Sequence, residues 1–230
     1  MRISKLLPQI GIAALAVVGS AAAQEALRLT AKLGEVHRYK LAADLTSANF
    51  TIKLSGEINR KVLRLDHGDV TLQETRTNMK MNVNENEMKM DDAVLVRVLR
   101  PDATTLELRG EGAGPEAYRV AVLSTVKLPD FPLAVDKTWT WDVPADPKHG
   151  QVKARAEYKV IGQEKIHEVD AWQIACSVTE EGGPAAASSI STVWVSKADA
   201  SLVRSESKVK NLPLTKDEPM SGTQTLDLVP

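Results

Sequence analysis

Val152-Lys153-Ala154-Arg155-Ala156-Glu157-Tyr158-Lys159-Val160 alternates apolar and charged side chains without a break. A period of two puts alternate side chains on opposite faces of a strand, so this stretch predicts a strand with one face in a core and one in water. Trp172, Ile174, Cys176 and Val178 repeat the signature, as do Phe50, Ile52 and Leu54, and Val94, Val96 and Val98. Helical periodicity is almost absent. Only residues 115–126 offer room for a few turns, and their Val and Thr content leaves a strand equally open. Asp66-His67-Gly68-Asp69 and Lys148-His149-Gly150 place glycine where a tight connection needs positive φ. The expected fold class is all-β, with antiparallel sheets forming a sandwich or half-open barrel from two related halves and few or no helices.

Between the halves lies Leu128-Pro129-Asp130-Phe131-Pro132-Leu133, followed by Trp139 and Trp141. Each proline lacks an amide donor, which keeps the stretch out of helix and weakens it as a central strand. Three local matches across this join predict a repeat, with 24–127 as the first β unit and 128–230 as the second. Residues 34–44 lie against 136–146, sharing an aromatic (Tyr39, Trp141) and a closing Ala-Asp. Residues 52–56 lie against 158–162, and 96–104 against 193–201, through Asp102-Ala103-Thr104 and Asp199-Ala200-Ser201.

Residues 1–23 have the layout of a secretory signal peptide: Arg2 and Lys5, a short apolar run over 6–18, then Ser20-Ala21-Ala22-Ala23. Export to the periplasm or the extracellular space is expected. No later stretch is apolar enough to span a membrane. Without Arg2 and Lys5, the 29 Lys and Arg become 27 against 30 Asp and Glu, a net charge near −3. That balance argues against a general nucleic-acid binder, which would carry a basic excess. Cys176 is the only cysteine, so no disulfide forms within the chain and stability rests on the core.

Val160-Ile161-Gly162-Gln163-Glu164-Lys165-Ile166, Val169-Asp170-Ala171-Trp172-Gln173-Ile174-Ala175-Cys176, Val193-Trp194-Val195 and Ala200-Ser201-Leu202-Val203-Arg204 together resemble a pattern in uncharacterised exported bacterial β-proteins. Those proteins are similar to the wider group of LolA/LolB-type lipoprotein carriers. The resemblance spans roughly 128–210 and implies a half-open antiparallel barrel able to shelter acyl chains. Ala200 stands where the pattern has glycine, and the lid helices of the carriers have no counterpart.

Four methionines gather in Met79-Lys80-Met81-Asn82-Val83-Asn84-Glu85-Asn86-Glu87-Met88-Lys89-Met90-Asp91. A two-residue turn at Glu85-Asn86 would set Val83 against Met88, Met81 against Met90 and Lys80 against Asp91. Three uses fit thioethers so placed: filling a sheet's inner face, a pliable surface for a lipid or partner, or Cu(I) ligation. No histidine or cysteine lies nearby in sequence to support the last. Met79, Met81, Met88 and Met90, with Trp139 and Trp141 as stacking surfaces, are the candidate ligand-binding residues.

His67 and His149 fall in turns, and His37 and His167 on strands, without ligand spacing. Ser124-Thr125-Val126-Lys127 and Ser205-Glu206-Ser207-Lys208 match S-x-x-K but lack the S-D-N and K-T-G partners that chemistry requires. Cys176 shares its face with Trp172, Ile174 and Val178, a setting for an inert thiol. No catalytic set, metal or cofactor is expected. The expected role is binding, either of an apolar ligand such as lipid between the sheets or of a cell-envelope protein.

Overall fold

A computed structural model describes residues 25–182, 185–214 and 218–230. The expected signal peptide lies outside them. The elements are β1 (Val36–Thr46), β2 (Thr51–Asp66), β3 (Asp69–Val83), β4 (Asn86–Lys89), β5 (Ala93–Leu99), β6 (Thr105–Gly110), α1 (Pro115–Ser124), β7 (Thr138–Val143), β8 (Ala154–Ile166), β9 (Val169–Glu180), β10 (Ser188–Ser196), β11 (Leu202–Leu212) and β12 (Met220–Val229). Eleven strands follow one hydrogen-bonded path, β6-β5-β3-β2-β1-β12-β11-β10-β9-β8-β7, and β4 adds to β3. Every pairing is antiparallel. The protein is therefore all-β in a single open sheet, and the two-sheet sandwich is not formed.

The ambiguous stretch after β6 is helical. Pro115 suits the first turn because its missing amide would have no partner there. Tyr118, Ala121 and Val122 are buried at spacings of three and four, one face of a helix. This face packs against β6, β9 and β10. The main apolar core joins Val122, Leu123, Val126 and Leu133 to Tyr158, Val160, Trp172, Ile174, Cys176 and Val193. A smaller cluster puts Tyr118 and Ala121 on Leu95 and Leu108. Arg119 anchors the helix through two bonds to Glu180, at 2.7 and 2.5 Å.

Each half is a meander, and the two meanders share their irregularities. Leu63 is skipped between Val62↔Leu72 and Arg64↔Thr71, just as Ile161 is skipped between Val160↔Ile174 and Gly162↔Gln173. Two-residue turns with positive φ follow in both, at His67-Gly68 and His167-Glu168. Entry into β1 and β7 is also matched. Gly34 N and Asp136 N donate to Val62 O and Val160 O, and these two valines donate back to Glu35 O and Lys137 O. Ala103 and Ala200 adopt φ of 66° and 59° in turns where Asp102 and Asp199 accept from the amides two residues on. Ala200 thus takes the left-handed backbone that glycine would supply.

Three expectations need correction. The ladders equate Tyr39 with Trp141, as the sequence match does, but Ile58 with Ala156, eight residues away from pairing Ile52 with Tyr158. His167 lies in a turn rather than on a strand. On β5 the buried side chain is Leu95, while Val94 is 41% exposed, so the Val94-Val96-Val98 stripe faces away from the core.

Candidate functional site

Residues paired across antiparallel strands share a face. One such row crosses the sheet as Met88, Met81, Leu54, Ala43, Gln224, Ser207, Ser191, Cys176, Tyr158 and Trp139. Two of the expected methionines, Met88 and Met81, and one expected tryptophan, Trp139, therefore stand at opposite ends of a single line of side chains. The next row carries Gly56, Leu41, Leu226, Ser205, Val193 and Ile174.

The two ends of the row are covered differently. On the tryptophan side the segment after α1 is bonded down: Trp139 Nε1 donates to Lys127 O at 2.7 Å, and Tyr158 Oη donates to Thr125 O at 3.1 Å. Trp139 stacks on Tyr158 at 5.1 Å between ring centroids, and Cys176 is buried beside them. Burial pushes the Cys176 thiol up to about 12, so it stays protonated and inert. On the other side Leu41, Leu54, Met81 and Leu226 are half-buried and belong to none of the apolar clusters. They form an apolar strip that crosses β12, β1, β2, β3 and β4, about 19 Å at about 4.8 Å per strand.

The methionine hairpin turns one residue earlier than expected, at Asn84-Glu85, both with positive φ. Asparagine tolerates that backbone at the turn's first position. Met81 therefore pairs with Met88, Val83 with Asn86 and Lys80 with Lys89. Lys80 Nζ reaches Glu87 at 3.1 Å instead of Asp91. Met88 and Met90 are 46% and 38% exposed, forming a lip, whereas Met79 is buried. Gly56 makes room for it: a Cβ there would stand 2.3 Å from Met79 Sδ.

Trp141 is not part of this strip. It lines a separate cavity of about 170 Å³ with Arg100, Asp102, Thr105, Tyr118 and Lys127. Lys127 Nζ sits 5.8 Å from the Trp141 ring centroid. A shallow depression of about 370 Å³ lies over β10, β11 and β12 around Ser191, Ser207 and Gln224.

Sequence reasoning missed a charged cluster on the same face of the first meander. Arg60 Nε donates to Glu74 at 2.8 Å, and Arg97 Nε lies 3.3 Å from the other carboxylate oxygen. Glu74 keeps 5% of its side-chain exposure, and Arg60 and Arg97 keep 20% and 18%. Burial alone would raise the Glu74 pKa, but Arg97 and Arg60 outweigh it and hold the carboxyl down at about 2. The available signal was phase: Arg60 falls in step with Ile52, Leu54, Ile58 and Val62 on β2. Among the described residues, no group of three or more His, Cys, Asp or Glu side chains converges as a metal site would require. Among the described residues, no helix is long and apolar enough to cross a membrane.

No family model matches the chain, and no curated protein matches it. Among solved structures it has a weak likeness to a DUF1329 family protein from Desulfovibrio piger. The TM-score is 0.24 and the identity 10%, over 85% of this chain and 84% of that one.

Proposed function

We propose that this is an exported, non-catalytic protein that holds an apolar ligand such as a lipid chain in a trough floored by this strip. The observation that carries the reading is the run of Leu41, Leu54, Met81 and Leu226. These are apolar side chains on the inner face, left half-exposed between covered regions and bordered by the Met88 and Met90 lip. Leaving that area in water forgoes roughly 25 cal/mol per Å², which a bound acyl chain would recover. Thioethers suit such a lip because they repack around chains of different shape.

Native mass spectrometry of the protein purified from lipid-containing cells should show acyl-bearing adducts. Leu54→Glu should lose them while keeping its β circular dichroism. Wild-type protein that carries no adduct and fails to bind an environment-sensitive apolar dye would defeat the reading. Export rests on residues 1–23, and N-terminal sequencing of the secreted product should begin near Gln24.

A second reading, docking of a cell-envelope protein, is favoured by the outer stripe of β5. Val94, Val96 and Val98 stand there outside every apolar cluster. Photo-crosslinking from position 96 in expressing cells should trap a partner if that stripe is the contact.

A further inference from the structure

Inside the same face of β2, β3 and β5, the row beside Arg60 and Glu74 carries Tyr39, Ile58, Arg76 and Ala93. The following row, toward the hairpin, is the trough's Leu41 and Leu226. Successive rows lie about 7 Å apart, two residues along a strand. The apolar floor therefore meets Arg76 one row on, with Arg60 two rows and Arg97 three rows on, against one carboxylate, Glu74.

That cluster is unbalanced. Glu74 is shared between Arg60 and Arg97, and the buried Arg97 Nε donates no hydrogen bond at all. Arg76 is exposed and makes no ion pair among the described residues. The nearby carboxylates are engaged elsewhere. Glu35 holds His37 and the Lys32 amide, and Asp199 holds the Ser201 amide. A partly desolvated excess of positive charge is costly unless an anion completes it. Guanidinium groups match carboxylate and phosphate oxygens in pairs.

We propose that the ligand of the trough is an anionic amphiphile, its carboxylate or phosphate headgroup held by Arg76 with Arg60 and Arg97 behind it, and its chain laid over Leu41, Leu54, Leu226 and Met81. This rests on the apolar-ligand reading above and names the ligand's chemical class. Arg76 makes the first contact because it alone of the three is free to move. Arg60 is fixed by Glu74 and by the Tyr39 ring, 4.9 Å below it.

Titration of the mature chain with oleate, oleyl alcohol and inorganic phosphate separates the contributions, with Arg76→Gln beside the wild type. Arg76 is exposed, so the variant should fold as the parent does. Oleate should bind at least tenfold more tightly than oleyl alcohol, and Arg76→Gln should remove most of that difference while leaving the alcohol unchanged. Equal binding of oleate and oleyl alcohol overturns the anionic headgroup but leaves the apolar trough standing. Binding of neither overturns both. Phosphate bound as tightly as oleate overturns the amphiphile, since the chain would then contribute nothing.

Discussion

The two meanders place opposite chemistry at matching positions. In the second, the row runs Trp139, Tyr158, Cys176 and Ser191, and its first three members lie in or against the main core. The corresponding row of the first is His37, Arg60, Glu74 and Leu95. Beside it, Arg97 stands where the second meander has Val193, and Arg76 where it has Val178. The backbone tolerates both solutions because ladder, bulge and hairpin turns are set by main-chain bonds. What the side chains decide is which half is sealed and which stays polar. A sheet can thus carry a dry half and a charged half on one hydrogen-bonding plan. We infer that the halves arose by duplication of one unit, on the strength of these shared bulges and turns.

Removing the charge at the centre of the polar half should have the largest effect. Glu74→Gln strands Arg60 and Arg97 without a counter-ion and should destabilise by about 3–5 kcal/mol, lowering Tm by roughly 10 °C. The pH dependence follows from the sign of the shift. The folded pKa of Glu74, about 2, lies below the ordinary 4.5. Its contribution is present above pH 4.5 and is lost as pH falls from there toward 2. Denaturant midpoints across that window should fall in the wild type and fall less in Glu74→Gln.

The join between halves comes next. Gly222 on β12 lies opposite Leu45 on β1, and a Cβ there would stand 2.0 Å from the Asp44 carbonyl oxygen, a backbone atom. Gly222→Ala should cost about 1–3 kcal/mol through overpacking, read in a urea melt.

At the counterpart of Glu74, Cys176→Val should cost less than about 1.5 kcal/mol, because one small apolar group replaces another. The native thiol should resist a chromogenic disulfide reagent until the protein is unfolded. Arg76→Gln should shift stability by no more than about 0.5 kcal/mol, as expected of an exposed side chain away from the core. A large loss of Tm in Arg76→Gln would place it in the fold rather than at a binding surface.

Alternation made the strands legible, and the matching turns at Asp102-Ala103 and Asp199-Ala200 were visible as like sequences. The middle match slipped by eight residues because an even slip leaves every side chain on its proper face. Pattern alone cannot penalise it. The methionine hairpin slipped for the same reason: moving the turn by one residue shifts partners by two and keeps Met81 and Met88 on one side. Arg60, Glu74 and Arg97 meet only through the ladder β2-β3-β5, so no local spacing announces them. On β5 both faces are apolar enough to pass for the buried one, and the valines took the outward side because Leu95 and Arg97 serve the interior.

Pairing of β1 with β12 brings Arg38 against Val229. Contacts of such long sequence separation form late, because loop closure precedes any reward. The central seam of the sheet therefore closes only after both meanders have formed. Until then the chain is two unclosed meanders, with the β1 and β12 edges open to pairing with another copy.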